Sequence, residues 1–528
     1  MGIYLNPGNR LFQRALNSQI YVDKSELIAY TNKVLDSEQQ YVCVSRPRRF
    51  GKSMAANMLA AYYGRDVDSR KQFENLKIGQ DSSFEQHLNR YNVIFLNIQD
   101  FLSENENIEE MKRSIEKSIL WDLVEEYPDI QYYDSGNLVR TLTDIYNSIK
   151  SPFVFIIDEW DCIFREKRTD YQAQKIYLDF LRNLMKDKVY VALAYMTGIL
   201  PIKKYGSHSA LNMFQEFSMT NPEQLAEFVG FTEQEVQSLC DQYHMDFEET
   251  RRWYDGYRFA QVGHIYSPRS VVSAMLSGCF DSYWNQTETF EALRDYIAMN
   301  FDGLKDKVIE LLAGIHKKIN IKKFTNDMTT FNTADDVLTL LIHLGYLGYD
   351  YTSQEVFIPN SEIAAEFCNA IEGAGWDRVV KAVSQSEKLL MATWNKDEEV
   401  VAEGIEGAHF ETSVLKYNDE NSLACVISLA YYSARAYYSE VRELPAGRGF
   451  ADIVYIPRRN YPDKPAMIVE LKWDKSAQGA ISQIKTQQYV NALKDYTGNI
   501  LMIGINYDKK SKKHQCAIEE IINGRSVI

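Results

Sequence analysis

At 528 residues the chain is too long for one hydrophobic core, so two to four domains are expected. Its apolar share of 45% and charged share of 25% are those of a folded globular protein, and no run approaches the ~18 apolar residues of a membrane span. A formal charge of −15 excludes a surface coated with basic residues for nucleic acid, but not a local basic site.

The first residues, Met1-Gly-Ile-Tyr-Leu-Asn-Pro-Gly, show no basic stretch leading into an apolar one, so no secretory signal is read there and a cytoplasmic location is expected. Four apolar runs follow: Tyr-Val-Cys-Val-Ser at 41–45, Val-Ile-Phe-Leu-Asn-Ile at 93–98, Phe-Val-Phe-Ile-Ile at 153–157 and Val-Tyr-Val-Ala-Leu-Ala-Tyr at 189–195. Each is short, β-branched or aromatic, and continuous rather than alternating, as in strands buried on both faces of a parallel sheet. Helix-compatible segments separate them, which gives an α/β class.

Directly after the first run comes Ser45-Arg46-Pro47-Arg48-Arg49-Phe50-Gly51-Lys52-Ser53, leading into the helix former Met-Ala-Ala-Asn-Met-Leu-Ala-Ala. A strand, a loop and a helix N-terminus in this order make a phosphate-binding loop, because backbone N–H groups and the helix dipole favour an anion. Lys52 is then expected on the β- and γ-phosphates and Ser53 on Mg2+. The usual pattern opens with Gly where this chain has Arg46; a basic turn that merely caps a helix is the competing reading. The third run ends in Asp158-Glu159, placing Asp158 near Mg2+ and Glu159 on the attacking water. The 93–98 strand lies between the two motifs, as expected if an extra strand separates the P-loop strand from the acidic one. Beyond the fourth run, Thr197 is a candidate γ-phosphate sensor or a helix cap.

From about residue 221 the pattern turns helical, with Asn221-Pro-Glu and Phe231-Thr-Glu-Gln-Glu reading as helix starts. Residues 331–375 suggest a helix, a short hairpin and a second helix. From about 400 a helix, two β runs and a helix are expected. Asp452 lies on an alternating strand at 449–456 and Glu470 and Lys472 on the returning strand at 466–472. The midpoint of 452 and 470 falls in the intervening turn, so a symmetric hairpin sets the two carboxylates opposite each other, ~5 Å apart at Cβ. Glu470 and Lys472, two apart, share a face. Two carboxylates and a lysine can hold Mg2+ on a phosphodiester and stabilise its anionic transition state. Glu420, opening an apolar helix, is a further candidate ligand, with Glu411 a substitute. On those residues alone, a salt bridge on an exposed sheet face is the competing reading. From residue 409 onward about sixteen basic side chains stand against thirteen acidic ones, so the acidic surplus lies upstream. The seven cysteines have no C-x-x-C spacing and read as reduced thiols.

The chain resembles bacterial AAA-ATPase-like proteins that join an N-terminal ATPase to a C-terminal domain of the PD-(D/E)XK nuclease superfamily. The matching residues are Tyr21-Val22-Asp23-Lys24-Ser25, the loop Arg46 to Ser53, Asp158-Glu159, Trp253-Tyr-Asp-Gly-Tyr257-Arg-Phe and Tyr266-Ser-Pro-Arg-Ser270. In the C-terminal part the matches are Asp452, Glu470, Lys472 and the Gln483-Ile-x-x-x-Gln-Gln-Tyr489 segment. The resemblance makes the missing first Gly ordinary and implies a P-loop (ASCE-type) ATPase core at 1–220. A helical lid at 221–330, a winged-helix-like module at 331–395 and a nuclease-like α/β domain at 396–528 complete the expected order. The cofactors expected are ATP, at Arg46 through Ser53 and Thr197, and Mg2+, at Ser53, Asp158, Asp452 and Glu470. Glu159, Glu420, Asp452, Glu470 and Lys472 are the expected catalytic groups. Nucleic acid, DNA or RNA, is the expected partner, with no membrane. A homo-oligomer would let Arg258 or Arg269 complete a neighbour's site. The function expected is ATP hydrolysis coupled to a Mg-dependent nuclease. The alternative is an ATP-driven regulatory switch or scaffold whose C-terminal domain binds nucleic acid without cleaving it.

Overall fold

The four apolar runs become the strands β1 (Tyr41–Ser45), β2 (Asn92–Asn97), β3 (Phe153–Asp158) and β4 (Val191–Gly198), joined by β5 (Gln215–Phe217), while α1 (Lys52–Tyr63) follows β1. This architecture comes from a computed structural model that describes residues 2–202, 204–205, 208–209, 211–284, 289–299, 302–325, 331–372, 377–411, 420–446, 449–493, 496–522 and 525–526. Side chains at 285–292, 372–380, 410–422, 446–449, 491–492 and 494–495 lie outside the description.

The five strands form one parallel sheet in the order β2-β3-β4-β1-β5. Every residue of β1, β3 and β4 is buried, which is why these segments read as unbroken apolar runs. The order corrects one expectation. The strand that separates the P-loop strand from the acidic strand is β4, and the 93–98 segment is the sheet edge beyond β3. Chain order between two motifs does not fix spatial order, because helical crossovers let a later strand insert between earlier ones.

Past the sheet, Thr232 caps a helix, α2 (Glu233–Tyr243), through a complete capping box with Glu235. The expected start at Asn221 yields only a three-residue 3-10 turn, Glu223–Leu225, because the Asn221 side chain bonds Glu223 instead of capping. Another helix, α3 (Pro268–Ser277), begins with Pro at its first turn, where no N–H is missed. A helix Ala334–Leu344, the two-stranded hairpin of Gly348–Asp350 with Glu355–Phe357, and a helix Ser361–Glu372 occupy the segment read as helix, hairpin and helix. By compactness the chain divides into Met1–Thr289 with Lys318–Ala365, and Phe290–Lys317 with Glu366–Ile528.

The second unit is a six-stranded sheet. Its elements are α4 (Glu398–Glu411), α5 (Glu420–Ala430), β6 (Tyr438–Ala446), β7 (Gly449–Pro457), β8 (Ala466–Trp473), α6 (Ala477–Thr486), β9 (Ile500–Asp508) and β10 (Lys513–Ile522). The strands run in sequence order, closing on Arg525–Ser526, and β8–β9 is the parallel pair spanned by α6. Of these strands, β6, β9 and β10 were not among the expected elements. Alternation sorts β8 onto two cores: Met467, Val469 and Leu471 pack toward α4 and α5, while Ala466 and Ile468 pack under α6. Each such fully buried Met, Val, Leu or Ile side chain contributes ~1.5–3 kcal/mol. Among the described residues no helix is long and apolar enough to cross a membrane.

Candidate functional site

A cavity of about 1050 Å³ opens where β1 meets α1. Its walls hold the loop residues Arg48, Arg49, Phe50, Gly51, Lys52 and Ser53, the acidic pair Asp158 and Glu159, and Arg269 from α3. Gly51 sits at φ +94°, and a Cβ there would meet nothing within 4 Å, so it is the backbone conformation that calls for glycine. Arg49 is itself left-handed at φ +66°. Lys52 is buried and donates to the Pro47 carbonyl at 2.9 Å. Burial pushes its ammonium below the ordinary value, opposed by Glu159, Asp158 and Asp161. Burial also pushes the Arg49 guanidinium down, and the charges of Arg269 and Arg48 add to this. The cavity therefore gathers cations that repel one another, facing two carboxylates.

Successive strand residues point to opposite faces, yet Asp158 and Glu159 both line the cavity. The strand ends between them: Glu159 adopts φ +52°, a left-handed conformation costing ~1 kcal/mol in a non-glycine residue, and this turn brings its carboxylate to the same side. Asp158 is buried, bonded to the Glu159 N–H at 3.0 Å and to the Thr197 hydroxyl. Burial raises the Glu159 carboxyl above the usual range, while Lys52 and Arg165 pull it back.

Three expected ligands, Arg46, Pro47 and Thr197, lie elsewhere. The Arg46 side chain is fully buried and donates to the carbonyls of Ser45 and Phe217 at 2.9 Å and of Leu225 at 3.4 Å. Its guanidinium stacks on Phe259, its N–H bonds Gly198, and burial draws its pKa down to about 10. Arg46 thus braces the loop from beneath, and neither Arg46 nor Pro47 lines the cavity. Thr197 stays outside the cavity lining as well; it neither caps a helix nor reaches the space beyond Asp158. Of the two arginines considered for a neighbour's site, Arg269 lines its own chain's cavity, whereas Arg258 lies over Phe357 and 3.9 Å from Asp350.

Sequence reading missed Asp161 and Arg165. Asp161 is buried and accepts from Ile199 and Leu200 N–H at 3.1 and 2.8 Å, fastening the end of β4. Arg165 bridges Asp161 to Glu159. The spacing Asp-x-x-x-Arg on one helical turn was the available signal. Tyr21, Val22 and Lys24 line the cavity too, and Tyr21 also packs edge-on against Phe12, so that segment both packs and lines. Lys24 pairs with Glu235 of the α2 capping box.

In the second unit the expected hairpin register holds. Ile453, Val454 and Tyr455 pair with Val469, Ile468 and Met467, a register whose continuation sets Asp452 opposite Glu470. Asp452 breaks the alternation: Ala451 and Val454 pack under α6, while Ile453 packs on the other face. Its carboxylate accepts the Leu471 N–H at 2.7 Å, and opposite it in β6 Glu443 is left-handed at φ +49°. Glu470 and Lys472 are buried with Nζ 2.8 Å from Oε1, so the exposed salt bridge of the competing reading is not what forms. Gly504 pairs with Glu470, and a Cβ there would lie 2.3 Å from the Ala477 carbonyl, so glycine lets α6 start against the strand. Glu420 begins α5, but its side chain and that of Glu411 lie outside the described residues.

Both places offer hard oxygen donors suited to Mg2+: Ser53 with Asp158, and Asp452 with Glu470. Among the described residues no three His, Cys, Asp or Glu side chains gather as a cage. That fits an ion held by one or two carboxylates together with water and substrate phosphate.

Comparison with known proteins agrees with this division. Residues 11–207 match the family model of a predicted AAA-ATPase, and residues 418–516 match that of the PD-(D/E)XK nuclease superfamily. An uncharacterized protein of the vnfD 5' region of Azotobacter chroococcum mcd 1 is 24% identical over 288 residues, 52% of either chain, so the chain spans about half the length of this curated relative. Among solved structures, the Aeropyrum pernix ORC2 protein gives a TM-score of 0.31 at 12% identity, covering 68% of this chain and 98% of that one. The Aeropyrum pernix ORC1 protein in complex with DNA gives 0.23 at 12% identity, covering 87% and 96%. The chain joins a predicted AAA-ATPase domain to a domain of the PD-(D/E)XK nuclease superfamily.

Proposed function

We propose that the first unit binds and hydrolyses ATP and that this turnover controls a Mg-dependent nuclease in the second. The observation that carries the first half is the crowding of Arg48, Arg49, Lys52 and Arg269 in one cavity opposite Asp158 and Glu159. A triphosphate bound among these cations would relieve the repulsion between them. Lys52 exchanges the Pro47 carbonyl for phosphate oxygens, and Arg269 approaches them from α3. Mg2+ held by Ser53 and Asp158 would neutralise charge on the phosphates. Glu159 accepts the proton of the attacking water, and its burial brings its basicity nearer the working pH. Thr197 acts through Asp158, which it orients.

In the second unit Asp452 and Glu470 would hold a divalent ion that polarises the phosphodiester. Lys472 stabilises the pentacovalent anion or positions the water. Nucleic acid is then the partner and a phosphodiester bond the one that breaks; a cytoplasmic protein fits this reading.

The test is phosphodiester cleavage with Mg2+, with and without ATP, in the wild type and in the Asp452→Ala and Lys52→Ala variants. ATP turnover that vanishes in Lys52→Ala, with cleavage that vanishes in Asp452→Ala, supports the reading. Identical behaviour of wild type and Asp452→Ala on DNA and RNA leaves an ATP-driven switch that binds nucleic acid without cutting it.

A further inference from the structure

The hairpin between β9 and β10 carries Lys509, Lys510, Ser511, Lys512 and Lys513, all exposed. None of the four lysines forms an ion pair with a described residue. The two carboxylates at the base of the turn serve its backbone. Asp508 accepts from the Lys510 and Ser511 N–H groups at 2.9 and 2.7 Å and from the Ser511 hydroxyl at 3.0 Å. Asp474 accepts the Lys509 N–H at 2.6 Å. Turn geometry is thus secured by side chains other than the lysines, whose ammonium groups face water. The acidic residues further along β10, Glu519 and Glu520, are matched by Lys485 and Lys396.

The sheet places this turn beside the second site. Since β8 and β9 are parallel, their C-terminal ends lie together: Lys472 pairs with Asn506, and Trp473 with Tyr507. Asp474 then leaves the strand at φ +52°, and the exposed Lys475 is held at this sheet end by its N–H, which donates to the Asn506 side chain at 2.9 Å. Along β9, from Asn506 at the level of Lys472 to Lys509 is three residues, ~10 Å at ~3.3 Å per residue. A nucleic-acid strand covers that distance in about three base steps at 3.4 Å each. A row of cations therefore runs from the buried Lys472 through Lys475 to the turn, off the same sheet end that presents Asp452 and Glu470. In a chain of net charge −15 this is a local reversal of sign.

We infer that the β9–β10 turn is a phosphate-backbone grip: Lys509, Lys510, Lys512 and Lys513 hold a nucleic-acid strand a few nucleotides from the bond presented to Asp452, Glu470 and Lys472. The inference rests on the nuclease reading for the identity of the site, but binding tests it without cleavage. Being electrostatic, the grip reads no sequence.

The experiment uses the full chain, fluorescein-labelled 30-nucleotide DNA and RNA, single- and double-stranded, and EDTA so that nothing is cut. Anisotropy is followed across a salt series for the wild type, a variant with all four lysines changed to Gln, one with all four changed to Arg, and a Lys381→Gln/Lys388→Gln control. The Gln variant is expected to bind at least tenfold more weakly at low salt, with a log–log salt slope shallower by about three, since each of the four phosphate contacts adds ~0.7–0.9. The Arg variant and the control are expected to match the wild type. Equal slopes and affinities for wild type and Gln variant overturn the inference, as does a wild type that binds no nucleic acid. If the Arg variant loses binding along with the Gln variant, the charge is not the cause and the inference falls. Binding that depends on the turn in a protein that cuts nothing with Mg2+ upholds the grip and sinks the nuclease reading alone.

Discussion

Arg165 holds Glu159: its Nη2 lies 2.5 Å from Glu159 Oε2, while its Nε lies 3.3 Å from Asp161 Oδ2. Asp161 is anchored to two backbone N–H groups beyond β4, so the orientation of the Glu159 carboxylate is referred to the sheet itself. Replacing Arg165 with Gln removes a cation that lowers the Glu159 pKa. In the proposed reaction Glu159 is the unprotonated base, so turnover is expected to fall as pH drops through its pKa. The acid limb of the kcat profile is therefore expected to move to higher pH in Arg165→Gln, with kcat at neutral pH down about tenfold or more and KM for ATP little changed. Steady-state ATPase kinetics from pH 5 to 9 check this; a lower kcat with an unmoved limb would mean that Arg165 only packs.

Restoring the common loop glycine is expected to harm this protein. Arg46→Gly would strip three buried carbonyls of their donor and leave a void beside Phe259. Losing buried charge-assisted bonds of this kind costs about 3 kcal/mol or more. A urea unfolding midpoint measured beside that of Arg48→Gly, an exchange in the cavity wall, separates the brace from the ligand-facing arginine: only the first should shift greatly.

In the second site, Lys472→Met would leave Glu470 buried without the ammonium 2.8 Å away, at a cost of about 3 kcal/mol. Asp452→Asn keeps an oxygen for the Leu471 N–H and should shift stability by less than about 1 kcal/mol while removing the charge a metal needs. Thermal melts of the two variants should therefore differ by several degrees, although both are expected to lose the proposed cleavage.

A histidine pair, His514 buried and His409 half-buried, should make the second unit acid-sensitive. His409 Nδ1 and His514 Nε2 are 3.1 Å apart. Burial, with His409 adding to it, depresses His514 to about 3, and burial depresses His409 to about 4. The unfolded chain takes up these protons near pH 6.5 and the folded chain does not, so the pair favours unfolding as pH falls below about 6.5, down to the folded values. Above pH 7 it has no effect. The drop in unfolding midpoint between pH 7.5 and 5 should be smaller in His514→Gln than in the wild type.

Much of the first unit was legible because its strands are buried on both faces, and burial writes itself into composition. That holds for β1 through β4, for the helix begun by Lys52, and for the Thr232 capping box. In the second unit the two-residue period gave the Asp452–Glu470 register and the shared face of Glu470 and Lys472. The strands β6, β9 and β10, nine, nine and ten residues long, were not read from the sequence, because the residues that pair with them lie in strands set beside them only by the tertiary fold.

By itself, then, the sequence determined which chemical groups stand at strand ends and helix starts, since those positions depend on local periodicity and on residues near in the chain. What only the tertiary structure decided is where long side chains go and which strands are neighbours. Arg46 turns beneath its loop because Phe217, Leu225 and Phe259, some 170 to 215 residues away, build a cage of carbonyls and a ring there. Strand β4 enters between β1 and β3 because pairing and burial are settled across the whole sheet. Arg165 meets Glu159 because a left-handed turn after Asp158 swings that carboxylate round, and the lysine turn meets the second site because β8 and β9 run parallel. In each case the energy comes from contacts between residues distant in the chain, and those are fixed only when the chain closes on itself.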